Sequence, residues 1–203
     1  NEDGQAEEKA ASQGAISFGQ AEGFGSFEGA FHAEIEDEER RINLNIRPGD
    51  QKERQALHAA LEKLFEPAVY NPLFENPDER GNYHDRQEII AAIIDWIDPD
   101  NVRYGFQSGD ESSRYDFLDD KYVSKNHFFD SLAELQLVAG IDDRFWALFK
   151  DDLTVYRTQK VNVNTCGPEV MRSLLMRILD PLPDEQRLQQ INDEIMNFRT
   201  TNF

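Results

Sequence analysis

The sequence predicts an α+β fold in which a pair of short strands precedes a long helical block. Residues 29–46 alternate apolar and polar side chains, which is the period of a strand that buries one face. Beyond Pro48 and Gly49 the apolar residues recur at helical spacing. The chain has 203 residues, of which 39% are hydrophobic and 14 are Phe, so it can bury a sizeable core.

The strand pair is predicted to be a β-hairpin with one buried face. Its turn is the acidic segment 37–39. Residues 12–29, rich in Gly and Phe, are predicted to form a loop that lies as an extended arm against the body. The apolar positions that alternate along the two strands are Phe31, Ala33, Ile35, Ile42, Leu44 and Ile46.

Capping residues predict where the helices begin. Asp50 is the expected N-cap of the first helix, which Pro67 ends. Ser131 is followed three residues later by Glu134, which is the spacing of a capping box. Further helices are predicted to begin near Asp85, at Asp142 or Asp143, at Asn164 or Thr165, and near Asp184.

The central predicted helix ends on acidic residues. A stripe of isoleucines identifies the helix, Asp95 and Asp98 lie on its last turn, and Asp100 follows at once. These carboxylates lie beside the negative end of the helix dipole, so a cation there would be stabilising. Glu111 and Asp116 can fold back on this corner, which would give an oxygen-rich pocket that suits calcium. The alternative is a solvated acidic loop, because the spacing matches no EF-hand.

The charge balance limits the classes of partner. The 40 acidic residues exceed the 21 basic ones and give a net charge of -19, which repels nucleic acid and anionic membrane surfaces. Cys166 is the only cysteine, so an intrachain disulfide is impossible. The apolar runs are too short for a transmembrane helix or a signal peptide. We therefore expect either a cytosolic protein or a chain given without its targeting segment.

The sequence predicts a protein that is not an enzyme. The four histidines belong to no linked motif, and Cys166 is expected to be a buried residue rather than a nucleophile. The carboxylates cluster in turns without the aromatic cleft of a sugar hydrolase. Neither a phosphate loop nor a dinucleotide fingerprint is present.

Four ordered stretches resemble the K-type minor pseudopilin family of the bacterial type II secretion system, the general secretion pathway protein K. Together they span most of the chain after residue 30, and the combination is more specific than any one stretch. They are IEDEERRINLNI at 35–46, AAIIDWIDPDN at 91–101 with GDESSRY at 109–115, KNHFFDSLAELQLVAGI at 125–141, and VNVNTCGPEVMRSLL at 161–175.

The resemblance implies a pseudopilin-like α+β fold, with a small antiparallel β-sheet and a large inserted α-helical domain. Residues 1–47 would hold the N-terminal arm and the β-hairpin, and residues 48–160 the inserted domain with its acidic loop. Residues 161–203 would form a second helical segment, similar to a helix-hairpin unit, that returns to the pseudopilin body. We expect a soluble fragment that begins after the family's hydrophobic N-terminal helix and whose C-terminus is also cut, unless this member is short.

The resemblance also implies a structural calcium site in the inserted domain. The acids that match the family's positions are Asp98, Asp100 and Glu111, with Asp95 and Asp116 as further candidates. This chain departs from the family pattern beside Glu111, where Asp110 precedes it and Ser112 follows it. The number of ions and the complete ligand set therefore stay open.

As an expectation from the family, the protein is a structural component at the tip of the type II secretion pseudopilus. It would assemble with the other minor pseudopilins, the I- and J-types, for protein export. The missing N-terminal helix would anchor it in the inner membrane of a Gram-negative bacterium, on the periplasmic side. No nucleic-acid partner is expected.

Two alternatives belong to other functional classes. The segment LQLVAGI at 135–141 resembles the hairpin of helix-hairpin-helix DNA-binding proteins, but Asp142 and Asp143 follow it and no lysines flank it. A gel shift with duplex DNA at low salt separates this alternative from a pseudopilin. The second alternative is a calcium-dependent adhesion or binding module, which would use the same acids but would need an exposed recognition surface.

Overall fold

A computed structural model describes residues 15–24, 27–78, 81–105, 109–118, 120–156 and 160–202 of the chain. Side chains are described within these ranges from residue 35 to residue 201. The predicted packing of the Gly- and Phe-rich arm against the body depends on side chains that lie outside this range.

Two separate strand pairs are present in the described residues. Strands β1 (Ala15–Phe24) and β2 (Phe27–Glu36) are antiparallel. Strands β3 (Ile42–Asn43) and β4 (Leu153–Thr154) are parallel. The second pair is short, but the N–H groups of Ile42 and Leu44 donate to the carbonyls of Asp152 and Thr154, both at 2.8 Å.

The predicted hairpin across the acidic turn is wrong. The segment after β2 forms a 3-10 helix, Glu38–Arg40, which is capped by the side chain of Asp37. β2 pairs instead with β1, which lies in the segment predicted to be a loop, and β3 pairs with a strand far along the chain. The alternation of apolar residues correctly marks strands, but it does not identify the partner of each strand.

The helices begin close to the predicted caps. The side chains of Asp50, Asp85 and Asp142 each accept hydrogen bonds from main-chain N–H groups of the first helical turn, as predicted. The helices are α1 (Gln51–Phe65), α2 (Asn71–Glu75), α3 (Arg86–Ile97), α4 (Asp143–Phe149), α5 (Pro168–Ile178) and α6 (Glu185–Asn202).

Two helix starts differ from the prediction. The capping box of Ser131 and Glu134 is present, but it opens a 3-10 helix, Leu132–Leu137, rather than an α-helix. The N-cap of α5 is Gly167, two or three residues after the predicted positions, with Pro168 as its first residue. Further 3-10 helices span Ala68–Tyr70 and Glu111–Tyr115.

The hydrophobic core is built around α3. Every residue of α3 from Ile89 to Ile97 is buried, as expected for a helix that is surrounded by others. Phe65 at the end of α1 packs against Phe145 and Phe149 of α4, with ring centroids 5.2 and 4.8 Å apart. One continuous cluster of buried apolar residues extends from β3 to α6. The predicted division into residues 1–47, 48–160 and 161–203 stays a prediction.

None of the helices in the described part of the chain is both long and apolar enough to cross a membrane.

Asn45 is a buried polar residue that joins three segments. Its amide nitrogen donates to the carbonyls of Phe129 (2.9 Å) and Val155 (2.7 Å), and its amide oxygen accepts from the N–H of Phe129 (2.8 Å). The side chain therefore holds the residues after β3 against those after β4 and against the segment before Ser131.

The substitution Asn45→Ala is expected to lower the free energy of unfolding by about 3 kcal/mol, because it leaves buried main-chain groups of Phe129 and Val155 without partners. Urea unfolding monitored by circular dichroism measures the change. The control is Asn82→Ala, which removes one exposed hydrogen bond and should change stability by less than about 0.5 kcal/mol. Equal effects of the two substitutions would contradict this role of Asn45.

Candidate metal centre

Three of the predicted site acids are buried together at the C-terminal end of α3. Asp95 is 1% exposed, Asp98 5% and Glu111 0%. Asp98 is the C-cap of α3, where its N–H donates to the carbonyl of Ile94, and Glu111 begins the 3-10 helix Glu111–Tyr115. Because charged carboxylates are rarely buried without compensation, this corner requires neutralising partners.

Arginines from two different segments neutralise the two aspartates. Arg54, on α1, forms an ion pair with Asp98 at 2.7 Å and lies over the ring of Tyr104, with the guanidinium carbon 6.0 Å from the ring centroid. Arg114 forms an ion pair with Asp95, which also accepts a hydrogen bond from the N–H of Tyr104 at 2.7 Å. Both ion pairs are largely shielded from water.

The carbonyls at the end of α3 are capped by the segment that follows the acidic loop. The hydroxyl of Ser124 donates to the carbonyl of Asp95 at 3.0 Å, and the N–H of His127 donates to that of Trp96 at 3.2 Å. Asn126, which has a positive φ of 51°, donates from its side chain to the carbonyl of Asp100 at 2.8 Å. The helix end is thereby closed without a glycine.

Carboxylate oxygens remain available in this corner. Both side-chain oxygens of Glu111 and the Oδ1 atom of Asp98 are buried without a hydrogen-bond partner. An unpartnered buried acceptor is costly unless a proton or a cation joins it. Hard oxygen atoms of this type are the ligands that calcium prefers, so the donor chemistry fits the ion.

Burial raises the pKa of all three acids. The pKa of Glu111 is raised to about 8, first by burial and then by the negative charge of Asp95. Burial also raises the pKa of Asp98 against the opposing charge of Arg54, and it raises the pKa of Asp95 against the hydrogen bond from Arg114. Without a cation, Glu111 therefore takes up a proton near neutral pH.

The other two predicted site residues lie in different surroundings. Asp100 is exposed, and its Oδ1 accepts from the N–H of Val102 at 2.8 Å, but its charge contributes to the raised pKa of Asp95, Asp98 and Glu111. Asp116 is exposed, and among the described residues it forms no ion pair with the others.

The acidic corner is not a complete set of metal ligands as it stands. Within the described ranges, no three His, Cys, Asp or Glu side chains are placed to hold one ion. Glu111 and Asp98 are the residues that would bind a cation directly, since both side-chain oxygens of Glu111 and the Oδ1 atom of Asp98 have no hydrogen-bond partner. Asp95 is already occupied by Arg114 and Tyr104.

Neither arginine partner was predicted from the sequence. Arg54 lies on a different helix, far from Asp98 along the chain, and local spacing cannot place it there. Arg114 is within the GDESSRY stretch, only a few residues from Glu111, so its proximity to the acids could have been noticed.

The sequence matches the family model described as type II secretion system (T2SS), protein K, over residues 40–158. These residues are more than half of the 203 in the chain, and the chain therefore belongs to the protein K family of the type II secretion system. This confirms the resemblance found in the four sequence stretches. A search among curated proteins found no match to this chain.

The fold is similar to that of a chain in the crystal structure of the GspK-GspI-GspJ complex from the type II secretion system of enterotoxigenic Escherichia coli. The TM-score is 0.51 and the sequence identity 17%, and the match covers 81% of this chain and 60% of that chain. The similarity supports the predicted α+β class, with mostly helical content and few strands.

The metal-free protein is expected to lose stability as the pH rises from about 5 to about 8. The ordinary pKa of Glu111 is 4.5 and burial raises it to about 8, so across this interval the unfolded chain releases a proton that the folded chain retains. Asp95 and Asp98 act in the same direction. Thermal melts in excess EDTA across this pH range measure the effect.

Glu111→Gln tests whether Glu111 causes this pH dependence, since the glutamine amide has the shape of the protonated acid and does not titrate. Its melting temperature in EDTA should depend less on pH than that of the wild type and should be higher at pH 8. Asp116→Asn, at an exposed position, should retain the wild-type pH dependence. A wild-type melting temperature that rises between pH 5 and 8 would contradict this account of the buried acids.

Proposed function

We propose that this protein is a minor pseudopilin at the tip of the type II secretion pseudopilus, where it acts as a structural subunit in protein export and not as an enzyme. The observation that carries the proposal is the match to the protein K family over residues 40–158. The match covers 60% of the similar chain in the GspK-GspI-GspJ complex.

The proposed partners are the I- and J-type minor pseudopilins. The similar chain comes from a crystallised complex of GspK, GspI and GspJ, which supports an equivalent assembly for this protein. We place the assembly on the periplasmic side of the inner membrane, with a hydrophobic N-terminal helix outside this chain as the anchor. The net charge of -19 makes nucleic acid an unfavourable partner.

We also propose that the acidic corner binds calcium as a structural ion. Glu111 and Asp98 supply buried oxygens that lack other partners, and Asp100 adds negative charge at the exposed side of the corner. Bound calcium would neutralise Glu111 in its ionised form and hold the segment before Tyr115 against the end of α3. Asp95 and Asp116 are proposed as acids near the site rather than as direct ligands.

Calcium is expected to bind to the chelator-stripped protein and to raise its melting temperature. At a calcium concentration 100 times the Kd, the gain in the free energy of unfolding should be about 2.7 kcal/mol. Isothermal titration calorimetry measures the binding, and melts with and without the ion measure the gain. Glu111→Gln should weaken binding at least about tenfold, because it removes a charged ligand from the site.

Asp116→Asn is the control for calcium binding, since it removes one negative charge at an exposed position. It should bind calcium almost as tightly as the wild type. If wild-type protein shows neither heat of binding nor a raised melting temperature, the corner is neutralised by protons and arginines alone. That result would reject the calcium proposal and would leave membership of the protein K family intact.

The protein is expected to form a complex with purified soluble domains of the I- and J-type pseudopilins from the same secretion system. Size-exclusion chromatography with light scattering would show a species of the summed mass. A matched control replaces the two partners with the major pseudopilin of the fibre. Absence of any complex at high micromolar concentration would count against the tip assignment.

A further inference from the structure

A groove of about 860 Å³ lies between α1, α5 and the residues around β3. Its base is formed by the buried side chains of Ile42, Leu57 and Ala60. The hydroxyl of Ser173 on α5 donates to the carbonyl of Ala60 at 3.0 Å and joins the two helices there. The groove shares no lining residue with the acidic corner.

The groove has a charge opposite to that of the chain as a whole. Among the described residues that line the groove, Arg41, Arg47, Lys160 and Arg177 are basic, and Glu53 is the only acid. The full sequence has 40 acidic and 21 basic residues, so this balance is reversed locally. A positive surface on a strongly negative protein attracts an acidic partner to that surface and not to others.

Two of the basic residues have charges that are available to a partner. Arg41 pairs with Glu36 and Glu38, and Arg47 pairs with Asp50 and Glu53. Lys160 and Arg177 are exposed, and within the described ranges neither forms an ion pair.

The groove also offers apolar surface. Ile46, Val161 and Leu174 are only partly buried, and Ala56 on α1 is exposed, with a small side chain that leaves the groove open. An occupant must therefore combine acidic and apolar groups. A nucleic acid has the required negative charge, but the net charge of -19 on the protein would repel the phosphates that lie outside the groove.

The main chain beside the groove does not favour an added strand. The side chain of Asn43 donates to the carbonyl of Asn45 at 2.7 Å and accepts from its N–H at 3.0 Å, so these main-chain groups already have partners. A partner strand would have to break both hydrogen bonds. A helix satisfies its own main chain and binds through its side chains, so it has no such cost.

We propose that this groove binds an acidic amphipathic helix of a partner protein. The apolar face of the helix would contact Ile46, Val161 and Leu174, and its acidic flank would pair with Lys160 and Arg177. This interaction is separate from the calcium site and does not depend on the tip assignment.

The test uses a synthetic fluorescein-labelled helical peptide of about five turns, with leucine along one face and glutamate elsewhere. Fluorescence anisotropy with the whole chain measures binding, and we expect the affinity to fall as salt is added. The double variant Lys160→Glu/Arg177→Glu should weaken binding about tenfold or more, since each reversed charge replaces attraction with repulsion. Ala56→Trp, which fills the groove from an exposed position, should weaken it as well.

The control variant is Lys121→Glu/Lys150→Glu, which makes the same change in net charge at exposed positions outside the groove. It should bind the peptide within about twofold of the wild type, and circular dichroism should show that all variants are folded. The proposal would be overturned if the peptide did not bind at a concentration of about 1 mM. It would also be overturned if both double variants weakened peptide binding equally, or if a duplex oligonucleotide displaced the peptide.

Discussion

The burial of carboxylates at the C-terminal end of α3 is the constraint on which the surrounding structure depends. A carboxylate removed from water and placed beside the negative end of a helix dipole is doubly unfavourable. Arg54 and Arg114 compensate Asp98 and Asp95, and each arginine belongs to a different segment. The ion pairs therefore fix α1 and the Glu111–Tyr115 helix in position relative to α3. The side-chain oxygens of Glu111 remain without a hydrogen-bond partner, so its negative charge must be neutralised by a proton or by the calcium ion proposed above.

The parts of the fold that depend on local interactions could be predicted from the sequence. The N-caps at Asp50, Asp85 and Asp142 involve hydrogen bonds over two or three residues, so the residue types alone identify them. The pairing of β3 with β4 could not be predicted in this way. It joins segments separated by α1, α2, α3 and α4, and the hairpin inferred from neighbouring strands was wrong for that reason.

The candidate site shows the same division between local and distant interactions. The acids of the corner lie close together in the sequence, and the structure buries Asp95, Asp98 and Glu111 near the end of α3. It places no three acids of the described residues to hold one ion, so the predicted metal site stays a prediction. Their neutralisation by Arg54 depends on how α1 packs against α3, which no spacing rule describes. The basic groove was missed because its residues come from separate stretches of a chain in which acids outnumber bases overall.

The parallel contact between β3 and β4 has a consequence for the order of folding. Ile42 and Leu153 are adjacent in space, so the chain between them forms a closed loop that contains α1, α2, α3 and α4. Closing so long a flexible loop has a large entropic cost. This cost is smaller once the helices have formed, because they shorten the flexible path between the two strands. The helices are thus expected to assemble before the strands meet. Both ends of the loop lie at the adjacent strands β3 and β4. The helices between them can therefore be inserted into a body that contains a β-sheet without moving β3 and β4 apart.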